Sequence, residues 1–251
     1  MTPAARERLQ IRAPMLFISA VAWILLVIEP SGTALSALCS AAMPGTAPSS
    51  REMLLALNAP YSLALGWALM LAAMMVPLLI APVRHVRDRS FARRRARAVM
   101  LFVTAYFVVW MAAGVVLLAL AFVVRLFVPG SSMPLAMVTA VALVWQFSPL
   151  KQRCLNRCHV QAELAAFGLA ADLDALRFGL THGVWCVGSC WALMLLPFVF
   201  SRGNVAAMAA VAVLLFAERL NRPTPPSWRW RGMSKVARIV VAQTRMRLKR
   251  S

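Results

Sequence analysis

An all-α, polytopic membrane protein is the fold class this sequence predicts, and three observations carry it. Of 251 residues, 61% are hydrophobic and 14% charged, with a mean hydropathy of +0.73, whereas soluble domains run at about 45–50% apolar and about 25% charged. The apolar residues form continuous runs, not the period-two alternation of a membrane β-barrel, so the spans are helices. At about 20 residues per crossing, the length accommodates about six spans and no large catalytic ectodomain.

The runs fall at 14–28, 61–81, 99–124, 134–145, 179–200 and 205–217. Arg6, Arg8 and Arg12 precede the first, and Glu29-Pro30 follows it in place of a small-residue cleavage pattern, so it is read as a retained span, not a signal peptide. The second and third are full crossings separated by the basic block RHVRDRSFARRRAR at 84–97. The fourth and sixth are at the lower limit of length for a crossing. Alternate segments hold 24 of the 27 Lys and Arg residues. By the positive-inside rule both termini are cytoplasmic, which fits a bacterial inner membrane. The chain divides into an N-terminus at 1–13, a six-span domain at 14–220 and a basic tail at 221–251. The tail opens with the stiff RPTPPS stretch at 222–227. Its Val236, Ile239, Val240 and Val241 then stand among Lys235, Arg238, Arg245 and Arg247, as in an interfacial helix, with Trp228 and Trp230 at headgroup level. In this setting a net charge of +19 speaks for anionic lipid on the cytoplasmic face and against a nucleic-acid partner.

Four of the five cysteines form two pairs of identical spacing, Cys154 and Cys158 in CLNRC, and Cys186 and Cys190 in CVGSC. Four residues apart on a helix, two side chains share a face with Cβ atoms about 5–6 Å apart, so both sulfurs can reach one ion. His182, Cys186, Cys190 and Met194 recur every four residues down the fifth run, a column of imidazole, thiols and thioether. Soft sulfur ligands select Cu(I) first and Zn(II) second. On the second run Met70 and Met74 repeat the spacing, and the pentapeptide WALML occurs at 67–71 and again at 191–195. At 1.5 Å per residue, Met74 and Cys190 both lie near mid-membrane, where inverted repeats place ion sites. Lys151, Arg153 and Arg157 are expected to favour the thiolate form of the first pair. Glu29 and Glu218 close the first and sixth runs facing water, while Asp172 and Asp174 solvate a loop or begin a helix. Cys39 stands alone on the outer side.

These residues point to a protein that binds a copper or zinc ion, Cu(I) ahead of zinc, and delivers it or moves it across the membrane. Cys154, Cys158 and His159 would form a cytoplasmic mouth site; His182, Cys186, Cys190, Met70 and Met74 a midplane site, extended by Met194. With no phosphate loop, no Ser-His-Asp set and no intramembrane carboxylate pair, an enzyme is not expected. Two alternatives stay open: a subunit of a membrane assembly whose cysteines pack beside Gly183, Gly188 and Ser189, and a membrane thiol redox protein.

The run Trp67, Met70, Met74, Met75, Pro77, the block QFSPLKQRCLNRC at 146–158 and the block CVGSCWALM at 186–194 resemble DUF2182, a family of predicted metal-binding integral membrane proteins of bacteria. The resemblance covers about residues 60–220 and implies an inner-membrane, multi-span protein whose Cys and Met residues are the suspected ligands. This chain departs from the family pattern at Ser189, where a cysteine is usual, and at His159, where an arginine often follows. The Met70 and Met74 pair is also similar to the methionine pair of high-affinity copper transporters.

Overall fold

The computed structural model describes residues 3–28, 59–127, 133–165, 167–199 and 204–228. Glu29, Cys39 and the tail from residue 229, including Trp230 and the expected interfacial helix, lie outside the described residues. Among the described residues there is no strand. The helices are α1 (Pro3–Ile28), α2 (Ala59–Met75), a 3-10 turn (Val76–Leu79), α3 (Ile80–Arg89), α4 (Arg95–Phe127), α5 (Met133–Phe147), α6 (Pro149–Arg157), α7 (Gly168–Val199) and α8 (Asn204–Arg219). The all-α class follows directly.

Among the described residues four segments are long and apolar enough to cross a membrane: Ile11–Ile28, Ala64–Arg89, Arg95–Leu120 and Gly168–Pro197. The second runs further than the hydropathy pattern suggests. Pro77 has no N–H to give and tightens the helix into the 3-10 turn, after which the chain re-enters a helix at Ile80. The fourth and sixth runs are α5 and α8, with 15 and 16 residues. At a rise of 1.5 Å they reach roughly 22–24 Å, against a hydrocarbon core of about 30 Å.

The helices group into two compact units, Met1–Pro134 with Gln161–Val184, and Leu135–Val160 with Trp185–Ser251. In the first unit α1 packs on α2, and the Ser19 hydroxyl donates to the Ala73 carbonyl at 2.7 Å. Helix α4 carries Phe102, Tyr106 and Trp110 at steps of four, all fully buried, and leaves Met100, Val108, Val115 and Val116 exposed on its other faces. One stripe therefore faces protein while the rest offers hydrocarbon outward, the division expected of a helix in lipid. The first half of α7 sets Phe178 against Phe102, ring centroids 5.1 Å apart. That approach needs Gly179, because a Cβ there would lie 2.4 Å from the Phe102 carbonyl oxygen. Asp172 does not solvate a loop. It is nearly buried and pairs with Arg94 at 3.0 Å and Arg97 at 2.8 Å, so part of the basic block is held against α7.

In the second unit the sequence Phe147-Ser148-Pro149 makes a corner. The Ser148 hydroxyl caps α6 by accepting from the Leu150 N–H at 3.1 Å, and Pro149 follows inside the first turn, where its missing N–H goes unneeded. Trp145 donates from Nε1 to the Gly188 carbonyl at 3.1 Å and its ring meets Trp191 at 5.3 Å. The other WALML copy has a parallel in the first unit, where Trp67 donates to the Trp110 carbonyl at 3.0 Å and the two rings stand 6.2 Å apart. The RPTPPS stretch is strapped along α6: Gln152 exchanges hydrogen bonds with the Ser227 backbone at 2.6 and 3.0 Å, and Asn156 donates to the Thr224 carbonyl at 2.8 Å.

Candidate metal centre

Both cysteine pairs belong to the second unit. Helix α6 ends at Cys158, whose N–H donates to the Cys154 carbonyl at 3.1 Å, so the spacing of four places both thiols over one turn. Cys154 packs against α7 at Gly188: a Cβ on that glycine would sit 2.8 Å from the Cys154 sulfur. Within CVGSC, then, the glycine makes room for the thiol of the other motif. On α7, Cys186 and Cys190 are both buried. The Cys190 thiol donates to the Cys186 carbonyl at 3.0 Å, and the Ser189 hydroxyl donates to the same oxygen at 2.7 Å. No disulfide joins these four cysteines.

What draws the two pairs together is Arg219, the last residue of α8. Its Nη2 donates to the Cys186 sulfur at 3.1 Å. The same guanidinium hydrogen-bonds Cys158, which also lies within charge-interaction range of Cys186 and Cys154. Cys190 in turn is in range of Cys186, Cys158 and Arg219. The sequence places the two pairs in separate sites; the structure brings Cys158, Cys186 and Cys190 within reach of one cation, with Cys154 one turn from Cys158. Among the described residues no three His, Cys, Asp or Glu side chains are arranged to hold one ion as they stand, so metal binding requires the thiols to rotate away from their present partners.

Behind Arg219 lies a second polar group. Glu218 is not turned to water but is 2% exposed, and Lys151 is 2% exposed. They pair at 2.8 Å, and Gln146 donates to Glu218 and accepts from Lys151. Burial pushes the Lys151 ammonium pKa down, and the Glu218 carboxylate only partly offsets this. The expected activation of the α6 thiols is reversed for a related reason. Burial pushes Cys158 up to about 12, against the pull of Arg219, and it also raises Cys154. Lys151 has its charge matched by Glu218, while Arg153 and Arg157 are exposed. At neutral pH both α6 cysteines are thiols, and an incoming soft ion must displace their protons.

His159 points both ring nitrogens at backbone oxygens, Nδ1 at Leu155 (2.9 Å) and Nε2 at Arg219 (3.1 Å), so neither faces the sulfurs. It ties the end of α6 to the end of α8. Met194 is fully buried on α7 in the second unit. His182 belongs to the first unit, among the rings of Phe102, Tyr106 and Phe178 at 6.0, 6.0 and 5.7 Å. Met70 and Met74 are buried in that unit's core. Spacing arguments miss Arg219 because its role depends on where α8 ends; the one local signal is the charged dipeptide Glu218-Arg219 closing an apolar run.

The chain also opens to the surface beside the cysteines. A groove of about 760 Å³ is lined by α6 residues that include Arg153, Cys154, Arg157 and His159, and by Trp185 and Pro223. The Arg157 guanidinium lies 5.7 Å from the centre of the Trp185 ring. Comparison with curated proteins gives no match, and comparison with solved structures gives none. A family model does match, over residues 64–242, and its span takes in every one of the candidate ligands above. Because that match covers well over half of the sequence, the chain belongs to the copper-chaperone family PpoB2.

Proposed function

We propose that this protein is a membrane-embedded Cu(I) carrier that holds the ion on thiolates of the second unit and hands it on by ligand exchange. One observation carries the reading: Cys158 of α6 and Cys186 of α7 share the Arg219 guanidinium, with Cys190 in range of the same charge and Cys154 one turn from Cys158. Charge balance favours Cu(I) over zinc. A Cu(I) ion with two thiolates has a net charge of −1, which a single guanidinium neutralises. Zinc with four thiolates carries −2, and Lys151 is already matched by Glu218. An uncompensated charge in a buried site is strongly disfavoured. Cys158 and Cys186, both hydrogen-bonded to Arg219, are the natural pair for the ion, with Cys154 and Cys190 as exchange partners. The membership in a copper-chaperone family and the resemblance to DUF2182 agree on metal handling.

Copper content tests this. Purified and loaded under reducing conditions, the wild-type chain should hold about one Cu(I), and Cys186→Ser/Cys190→Ser should hold almost none. Near-zero copper in both would dismiss the carrier reading in favour of cysteines that only pack.

In the same reading α5 and α8 complete six spans in a bacterial inner membrane, and both termini are cytoplasmic. The support is the charge asymmetry of the sequence. Reporter fusions at residues 90 and 240 should report cytoplasm and one at residue 45 periplasm; the opposite signal at 90 or 240 overturns the orientation.

A further inference from the structure

We infer that the groove beside α6 is the loading port of the copper site, and that it takes Cu(I) as an anionic complex with a small thiol. The inference rests on the carrier reading and adds the form in which the ion arrives.

Three features meet there. Among the described residues that line the groove the charged side chains are Arg153 and Arg157, both exposed, and none is a carboxylate. A cationic concavity attracts a complex of net charge −1 and repels the bare cation. Cys154 lines the groove and is the only partly exposed thiol of the four, Cys158, Cys186 and Cys190 being buried. It is thus the sulfur that an incoming ion meets first, and Cys158 follows one turn along α6. Size is the third feature. About 760 Å³ lies in the range of small-molecule sites, roughly 300–1,000 Å³, whereas docking a folded carrier protein takes about 800 Å² of surface on each partner.

The exchange balances at each step. Cu(I) arrives held by two thiolates; the Cys154 sulfur forms a bond to copper as one copper–sulfur bond to the small thiol breaks, and the Cys154 proton leaves on the departing sulfur. The complex is still −1, so it keeps its attraction to the positive wall. In the second step Cys158 replaces the other small thiol in the same way, and its proton departs with that thiol. No electron is transferred.

The test compares two copper sources on the full-length, detergent-purified protein: the bis(glutathione) Cu(I) complex, which is anionic, and the tetrakis(acetonitrile) Cu(I) cation. Loading from the glutathione complex should be about tenfold or more slower in Arg153→Glu/Arg157→Glu, and should slow in the wild type as salt is raised. Loading from the acetonitrile cation should not slow in the variant. Because Arg157 also rests on Trp185, Arg153→Glu alone serves as the second variant, with a slowing of about threefold expected. Cys154→Ser should remove the fast phase of loading from the glutathione complex. Equal rates for wild type and both arginine variants with the glutathione complex would overturn the port while leaving the copper site standing. A wild type that takes copper from neither source would overturn both.

Discussion

Arg219→Glu should lower the affinity for Cu(I) about a hundredfold or more, with Arg219→Lys recovering part of the loss. The guanidinium is 3.1 Å from the Cys186 sulfur and also hydrogen-bonds Cys158, so it opposes the negative charge that appears when both thiols become copper-bound thiolates. Two unit charges about 4 Å apart interact by roughly 4 kcal/mol at an effective dielectric constant near 20. Arg219 is half-buried, and solvent screening reduces that figure. A remaining effect of about 2.7 kcal/mol is a factor of about a hundred. Lysine keeps the charge but loses the planar fork that serves two sulfurs at once. Competition with a Cu(I) chelator measures the affinity, and thermal unfolding of the apo variants separates loss of binding from loss of fold. An affinity within threefold of wild type for Arg219→Glu would show that the guanidinium does not sense the ion.

The second large effect is on stability. Glu218→Ala should destabilise the second unit by about 3–5 kcal/mol, the usual consequence of stranding one member of a buried ion pair. Lys151 and Glu218 are each about 2% exposed, and the carboxylate and Gln146 are the partners of the ammonium. Without Glu218 the ammonium keeps the Gln146 carbonyl and the full penalty of burial. Removing both charges, in Lys151→Met/Glu218→Met, should bring stability back to within about 1 kcal/mol of wild type or above it. One oxygen of the pair favours that outcome, since Glu218 Oε2 is buried with no hydrogen-bond partner among the described residues. Unfolding in detergent measures all three proteins. A single variant that loses less than about 1 kcal/mol would mean that water reaches the pair.

The parts of this molecule readable in the sequence are those set by local pattern. Continuous apolar runs give the helices, while the cap at Ser148-Pro149 and the 3-10 turn at Pro77 came to light only in the structure. The spacing of four within CLNRC and CVGSC puts each thiol pair on one helical turn. How the pairs relate is not local. Cys154 meets α7 because Gly188 has no side chain, and Cys158 meets Cys186 through a residue more than 30 positions away in the sequence, at the end of α8. Identity of residue type also misleads where the backbone competes for it. His159 is a good ligand by chemistry, yet two carbonyl oxygens hold its ring. Likewise, charged residues near a thiol lower its pKa only where their pull exceeds the cost of burial, and at Cys154 and Cys158 burial is the larger effect.

The most direct test is the copper X-ray absorption spectrum of the Cu(I)-loaded protein, recorded for the wild type and for Cys158→Ser/Cys186→Ser. A thiolate site gathered around Arg219 predicts a coordination sphere of sulfur alone in the wild type, and the loss of that signature, with the copper itself, in the double variant. Nitrogen or oxygen bound to the ion in the wild type, or a sulfur spectrum that survives the double substitution unchanged, would contradict it.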